Sequence, residues 1–310
     1  KQKIFKKYFK KKLRKKNRIK NMIKKGIILA GGMGTRMSPL TKAVNKQLLP
    51  LYDKPLIFYP LSVLMLAGIK KILIIVNKGQ LNQFRKILPE RNNLGLSIEY
   101  KEQPKPGGLP QAFLIGEKFI GKDSISLILG DNFFYGQSLT KILKKNINMK
   151  SGAKIFIHPV KNPHLYGVAT LNNNKKVITL VEKPKKTKSN FAVTGLYFFD
   201  NKVIDLTKKL KPSKRGELEI IDLLNFYKRK NKLKAEFIGR GGSWLDTGNI
   251  SDFYDASNFI SAIENRQGLK IACLEEIALN NNWINNQQLR NAINFYGKCD
   301  YSKYLKSLIN

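Results

Sequence analysis

Residues 26–50 read GIILAGGMGTRMSPLTKAVNKQLLP, and this stretch restricts the fold more than any other. The apolar run over 27–30, ended by Gly31, Gly32 and Gly34, is how a buried parallel strand entering an anion-binding loop is written. Glycines permit φ > 0 and close backbone approach, so free N–H groups can face phosphate oxygens. Arg36 stands two residues after the last glycine and Lys46 ten further on, near enough in sequence to close over an anion held by the loop. A dinucleotide site needs G-x-G-x-x-G, but Arg36 and Met37 occupy the place of the third glycine; a P-loop needs a G-K-[ST] ending that is missing. A nucleoside-triphosphate loop of another kind remains, beside the plainer reading of a strand-to-helix turn with two surface cations.

The chain of 310 residues can bury a large core as one or two closely joined domains. Its hydrophobic content of 42% is ordinary, and no apolar run approaches the ~20 residues of a membrane span. Cys273 and Cys299 are its two cysteines, which excludes a disulfide framework and a cysteine-rich zinc site and fits a cytoplasmic protein. His158 and His164 read as ordinary strand or loop residues. The net charge of +37 is the unusual number. Residues 1–25 hold 14 Lys and Arg and no acid, yet the excess continues along the chain. Part of it suits anionic substrates, which a cationic surface steers; most accompanies heavy use of Lys, Asn and Ile, as AT-rich coding would produce. Nonspecific nucleic-acid contact at low salt is expected of any chain this basic. Residues 1–21 lack a signal-peptide core and read as a solvated tail, a nucleic-acid or ribosome contact, or an anionic-membrane contact.

After the loop, Asp53 is placed to N-cap a helix with Pro55 in its first turn and Gly68 at its end. A buried strand over 71–76, a helix over 80–88, a strand over 96–100, a helix over 111–119 and a strand over 126–130 follow. This alternation predicts an α/β fold with a mostly parallel sheet, helices on both faces and ligands outside the carboxyl ends of the strands. Gln103 and Gly107–Gly108 come at one such end, where a glutamine offers a donor and an acceptor side by side, as a pyrimidine edge requires; a plain Pro/Gly turn is the alternative. Asp131 ends the 126–130 strand beside the loop, placed either to hold Mg²⁺ or to cap a helix. From 153 the strands become closely spaced (153–160, 166–171, 177–182, 193–199), predicting a smaller, more antiparallel region. Beyond 251 the pattern is helical, over 253–264, 285–292 and 301–309.

The segment L-A-G-G-x-G-T-R-M-x-P-L-T with N-K-Q-L-L-P resembles the signature of the sugar-phosphate nucleotidyltransferases. The continuation Tyr52-Asp53-Lys54-Pro55-Leu56, with Pro60-Leu61-Ser62 to Gly68, most resembles the glucose-1-phosphate thymidylyltransferases, a likeness running from about Met22 to the C-terminus. The resemblance implies a Rossmann-like fold that joins dTTP to glucose 1-phosphate, releasing pyrophosphate, as a first step toward dTDP-rhamnose and surface polysaccharide. It implies a nucleotide half over about 22–150, a sugar half over about 151–250 and C-terminal helices over 251–310 in the contacts of a homotetramer. It carries nucleotide binding to Leu29, Gly31, Gly32, Gly34, Thr35, Gln103 and Gly108, and catalysis to Arg36, Lys46 and Lys183. Asp131 and Asp246 become a Mg²⁺ pair, and Tyr166, Gly167, Glu182, Lys183, Val193 and Arg215 a sugar site. Arg240, Gly241, Glu264 and Arg266 fall in stretches resembling a second, inhibitory nucleotide-sugar site. The family's Asp-Gly-Leu-Ala reads Gly107-Gly108-Leu109-Pro110 here, a departure that bears on base preference. UTP or another sugar phosphate is the nearest alternative; a nucleic-acid-binding or regulatory protein on the same fold is the distant one.

Overall fold

The computed structural model describes residues 22–309, so the basic extension over 1–21 lies outside the described residues. The chain opens with β1 (Lys25–Ala30), passes short helical turns at Thr35–Met37 and Lys46–Leu48, and folds into a hairpin of β2 (Pro50–Leu51) and β3 (Lys54–Pro55). Then come α1 (Phe58–Leu66), β4 (Lys71–Asn77), α2 (Leu81–Ile87) and β5 (Ser97–Gln103). Short helices α3 (Gln111–Ile115) and α4 (Glu117–Ile120) precede β6 (Ile125–Leu129), β7 (Asn132–Gly136) and α5 (Leu139–Asn146). The second half holds β8 (Ala153–Pro159), β9 (Gly167–Leu171), β10 (Val177–Glu182), β11 (Phe191–Phe199), α6 (Val203–Thr207), α7 (Ile220–Arg229), β12 (Leu233–Phe237) and β13 (Gly242–Asp246). It ends in α8 (Ile250–Gln267), α9 (Leu274–Asn280), α10 (Asn286–Tyr296) and α11 (Asp300–Ser307).

Strand β1 is hydrogen-bonded in parallel to β4 on one edge and β6 on the other, and β5 extends the parallel set beyond β4. Alternation of side chains separates two cores: Ile28 and Ala30 of β1 face one with Ile72, Ile74 and Val76, while Ile27 faces the other with Leu73 and Ile75. Helices α1, α2, α5 and α9 cover the first face; α3, α4, α6 and α7 cover the second. Strand β11 reverses direction, running antiparallel to β6 over Leu196–Phe199 while its opposite edge takes β8. The β9–β10 hairpin joins it at Ala192, giving a nine-stranded mixed sheet. The switch from parallel to antiparallel therefore falls where the spacing of apolar runs changes. A separate two-stranded ladder pairs β13 with β7, Asp246 opposite Asn132.

Local chemistry explains the element ends. Helix α5 buries Leu139, Leu143 and Asn146, a 4-then-3 spacing that keeps one face inward. Helix α8 begins where the Asn249 side chain accepts from Asp252 N–H and ends at Gly268 with φ 68°. Asn285 and Gln288 form a reciprocal capping box at the start of α10. Two expectations are corrected. Asp53 caps no helix: β2 and β3 turn around it, α1 starts at Phe58, and its carboxylate is bonded to Lys54 and Lys270. The 111–119 helix is broken at Gly116, where a Cβ would stand 2.9 Å from both Ala112 O and Ile27 Cδ1; the missing side chain lets the break seat directly on the sheet. Among the described residues no helix is long and apolar enough to cross a membrane.

Candidate active site

The parallel strands β1, β4, β5 and β6 end side by side, and the segments leaving them lie against one another. After Ala30 the loop turns through Gly32 (φ 103°) and Gly34 (φ 60°), conformations that L-residues with side chains rarely hold. Gly32 N–H donates to Asn77 Oδ1 at 2.9 Å, and Asn77 Nδ2 returns a bond to Gly32 O at 2.8 Å. Thr41 Oγ1 donates to Gly34 O at 2.8 Å. Thr35 and Arg36 then form an exposed helical turn whose third residue, Met37, is buried. Leu29, the last-but-one residue of β1, accepts from Gly130 N–H through its carbonyl, which holds the loop level with the end of β6.

Lys46 is carried on the turn Lys46–Leu48, which Asn45 caps by accepting from Gln47 N–H. The lysine is only 7% exposed and donates to Asp131 Oδ2 at 2.7 Å. Burial pushes the Asp131 carboxyl up, but the Lys46 ammonium and the Asn132 amide outweigh it and hold the group below its ordinary value. Asp246 arrives on β13, and the next residue, Thr247, donates both N–H and Oγ1 to Asp131 O. Among the described residues nothing donates a hydrogen bond to the Asp246 carboxylate. Burial first, and the Asp131 charge second, raise it to about 7. Arg36 closes the arrangement: a Cβ at Gly248 would lie 3.2 Å from both Asp246 oxygens and 3.3 Å from Arg36 Nη1.

A divalent ion is what this arrangement suits. Two carboxylates converge with one hydrogen-bonded to a lysine and the other unsatisfied, and a neighbouring negative charge already presses on Asp246. The described residues include no cluster of three or more His, Cys, Asp or Glu, as zinc would ask for. A hard cation that takes one or two carboxylates and fills its shell with water and phosphate oxygens fits these donors.

Gln103, at the end of β5, is 3% exposed. Its Nε2 donates to Gln111 Oε1 at 2.5 Å, and its Oε1 packs so closely on the loop that a Cβ at Gly31 would be 2.1 Å away. Gly108 has φ 89°, and a Cβ there would stand 2.0 Å from Leu218 O. Leu218 N–H bonds Gly107 O at 3.0 Å, which ties this turn to the segment carrying Arg215.

The predicted sugar-site residues meet on the antiparallel side. Glu182 is opposite Gly167 in the β9–β10 ladder, and a Cβ at Gly167 would come within 3.2 Å of Glu182 Oε2. Glu182 is raised by burial and by Glu219, and stands 4.0 Å from Arg215, which bonds Glu219 at 2.9 Å. Lys183 is exposed, has φ 42°, and makes no ion pair among the described residues. Tyr166 packs edge-on against Trp244 at 5.1 Å between ring centres, and Val193 lies at the irregularity of β11. A cleft of about 610 Å³ is lined by Glu182, Lys183 and Arg215 among others. The four residues of the expected inhibitory site are not gathered in one place. Arg240 and Gly241 line a separate cavity of about 410 Å³ with Lys141 and Lys145, whereas Glu264 is buried, accepting from Lys54 at 2.9 Å and Lys270 at 3.2 Å. Arg266 is exposed near the end of α8.

Asn132 is a residue that sequence reasoning missed. Its Oδ1 accepts from Gly195 N–H at 3.0 Å and Trp244 Nε1 at 2.6 Å, which leaves Nδ2 to reach Asp131 Oδ1 at 3.1 Å. One 2%-exposed amide thus joins β7, β11 and β13 around the acid pair. Gln80 and Gln111 likewise carry no signal in the sequence beyond standing at the start of a helix.

This fold belongs to a known class. The chain is a member of the nucleotidyl transferase family, whose model matches residues 25–263. A glucose-1-phosphate thymidylyltransferase of Neisseria meningitidis is 50% identical over 285 residues, 92% of this chain and 99% of that protein. One from Mycobacterium tuberculosis is 45% identical over the same shares. Among solved structures, a Bacillus anthracis protein described as a glucose-1-phosphate thymidylyltransferase, with bound sucrose, superposes with a TM-score of 0.71 at 40% identity. That match covers 76% of this chain and 94% of the other. A UDP-glucose pyrophosphorylase with UDP-glucose gives 0.68 at 26% identity, covering 79% and 100%.

Proposed function

We propose that the protein transfers a thymidylyl group from dTTP to α-D-glucose 1-phosphate, giving dTDP-glucose and pyrophosphate. The observation that carries this reading is the Lys46–Asp131 pair set between a glycine loop and a second, unsatisfied carboxylate at the ends of the parallel strands. A phosphate oxygen of the sugar phosphate attacks the α-phosphorus in line as the bond to pyrophosphate breaks. The attacking group is already anionic, so positioning and charge neutralisation supply the catalysis and no side-chain nucleophile is needed.

In this reading Gly31 and Gly34 offer N–H groups to the triphosphate, while Gly32, whose N–H is held by Asn77, shapes the loop together with Leu29 and Thr35. Arg36 neutralises the departing pyrophosphate, and Lys46 and Lys183 offset repulsion between the two anions. Gln103 reads the base beside Gly108. Tyr166, Gly167, Glu182, Val193 and Arg215 receive the sugar phosphate. Asp131 and Asp246 would hold Mg²⁺, which when bound lowers the repulsion around the α-phosphate. The nucleotide half over 22–150, the sugar half over 151–250 and an oligomer contact in the C-terminal helices belong to the same proposal. So does a second nucleotide-sugar site at Arg240 and Gly241, where Lys141 and Lys145 add positive charge. Glu264 lies apart from that cavity and anchors α8, its oxygens being taken by Lys54, Lys270 and Ile271 N–H.

Pyrophosphate release by the full chain with Mg²⁺ and glucose 1-phosphate, comparing dTTP with UTP, CTP, ATP and GTP, tests the reading. Preference for dTTP is expected. Equal or greater turnover with UTP would overturn the base assignment, and no release with any triphosphate would overturn the reaction.

A further inference from the structure

Gln80 sits at the N-cap position of α2 yet makes no side-chain cap to that helix. Its side chain turns instead toward the glycine loop, where Oε1 accepts from Asn45 Nδ2 at 2.6 Å and from Asn77 Nδ2 at 3.2 Å. The identity of the atom at that point is fixed by the backbone. Asn77 grips Gly32 through both N–H and C=O, so its Oδ1 is used and its Nδ2 must point outward. Asn45 accepts from Gln47 N–H and donates to Ala30 O at 3.2 Å, so its Nδ2 also points outward. Two donors converge on one place, and only an acceptor satisfies both. One asparagine holds the loop; the other, 3% exposed, precedes Lys46 and caps its turn.

We propose that Gln80 is a positioning residue for the nucleotide: one side-chain oxygen ties the glycine loop to the Lys46 turn and so sets the distance between the loop N–H groups and the Lys46 ammonium. The inference rests on the reading of the loop and Lys46 as the triphosphate site. It assigns Gln80 no contact with substrate. Losing the shared acceptor leaves two amides competing for fewer partners, and the loop and the Lys46 turn move independently. The cost falls on the reaction step, where their separation matters, and spares the sugar phosphate.

The test compares the full chain with Gln80→Met, which keeps the volume and removes the acceptor, and Gln80→Glu, which keeps the acceptor. Initial rates are measured with dTTP and glucose 1-phosphate varied separately, and hydrogen–deuterium exchange is followed in peptides spanning 27–37 and 43–50. Gln80→Met is expected to lower kcat about ten-fold and to quicken exchange in both peptides, with the KM for glucose 1-phosphate within about two-fold. Gln80→Glu is expected to restore kcat and slow exchange. Unchanged exchange in Gln80→Met, or a loss that Gln80→Glu shares, overturns the proposal. The exchange arm needs no turnover, so a parent protein that released no pyrophosphate would refute the reaction while leaving the Gln80 tie still decided.

Discussion

The two halves of the site hold their charges differently. On the nucleotide side Lys46 is 7% exposed and already bonded to Asp131, whose carboxyl is held below its ordinary value. On the sugar side Arg215 is 52% exposed, Lys183 is unpaired among the described residues, and Glu182 is raised. A paired charge away from water acts at low local dielectric and needs little rearrangement as the reaction proceeds, whereas an exposed one is screened until a ligand covers it. Under the proposed function, the nucleotide half is therefore built in advance, and the sugar half is completed by its ligand.

The largest effect expected from this contrast is at Lys46. Replacing it by Met should lower kcat by on the order of 10²- to 10³-fold, because the fixed cation is lost and Asp131 is left without its partner; turnover within ten-fold of the parent would show that the pair is structural only. A smaller loss, roughly ten- to a hundred-fold and mainly in KM for glucose 1-phosphate, is expected of Lys183→Gly. The same change relieves a positive φ, so the melting temperature should hold or rise, and a kinetic loss accompanied by a fall in melting temperature would contradict the assignment.

Gln111 supplies a subtler comparison. With its oxygen taking one N–H of Gln103, Gln103 can donate to thymine O4 and accept from N3–H. Cytosine presents the reverse pattern. Gln111→Glu, an acceptor only, should preserve discrimination of dTTP over dCTP, and Gln111→Met should reduce it about ten-fold, read as the ratio of kcat/KM values. The smallest effect lies in pH. Asp131, held low, keeps its charge and its contribution to stability above the usual carboxylate range and loses them only as pH falls through its lowered value. Glu182 is raised, so its neutral form is favoured in the fold and its contribution to stability declines as pH rises from the usual range through the raised value. On acidification Glu182 takes up its proton before Asp131 does. The KM for glucose 1-phosphate should change by a few-fold across the titration of Glu182, and Glu182→Gln should remove that pH dependence.

Much of this was legible in the residues. Glycines after an apolar run marked the loop, and the change from helix-spaced to closely spaced strands marked where β11 reverses the sheet. Asp131 was visible because it ends a buried strand; Asp246 is picked out through family resemblance, since the two stand 115 positions apart. What escaped were side chains whose partners lie elsewhere. Asp53 beside Pro55 looks like a helix start, but Lys270 and Lys54 claim its carboxylate from across the fold. Gly116 looks tolerable inside a helix until the sheet beneath it is considered. Asn45, Asn77, Gln80 and Asn132 are common amides in an asparagine-rich chain, and only their geometry distinguishes them from solvated ones.

The ladder between β7 and β13 has a consequence for how the protein comes into being. Its strands are separated by the segment 137–241, so Asp246 cannot join Asp131 until that whole length has been made and folded back. Closing a loop of that size costs roughly 4 kcal/mol in chain entropy. During synthesis the emerging chain therefore carries its glycine loop and first acid long before the second, and the complete site belongs to the last stages of assembly.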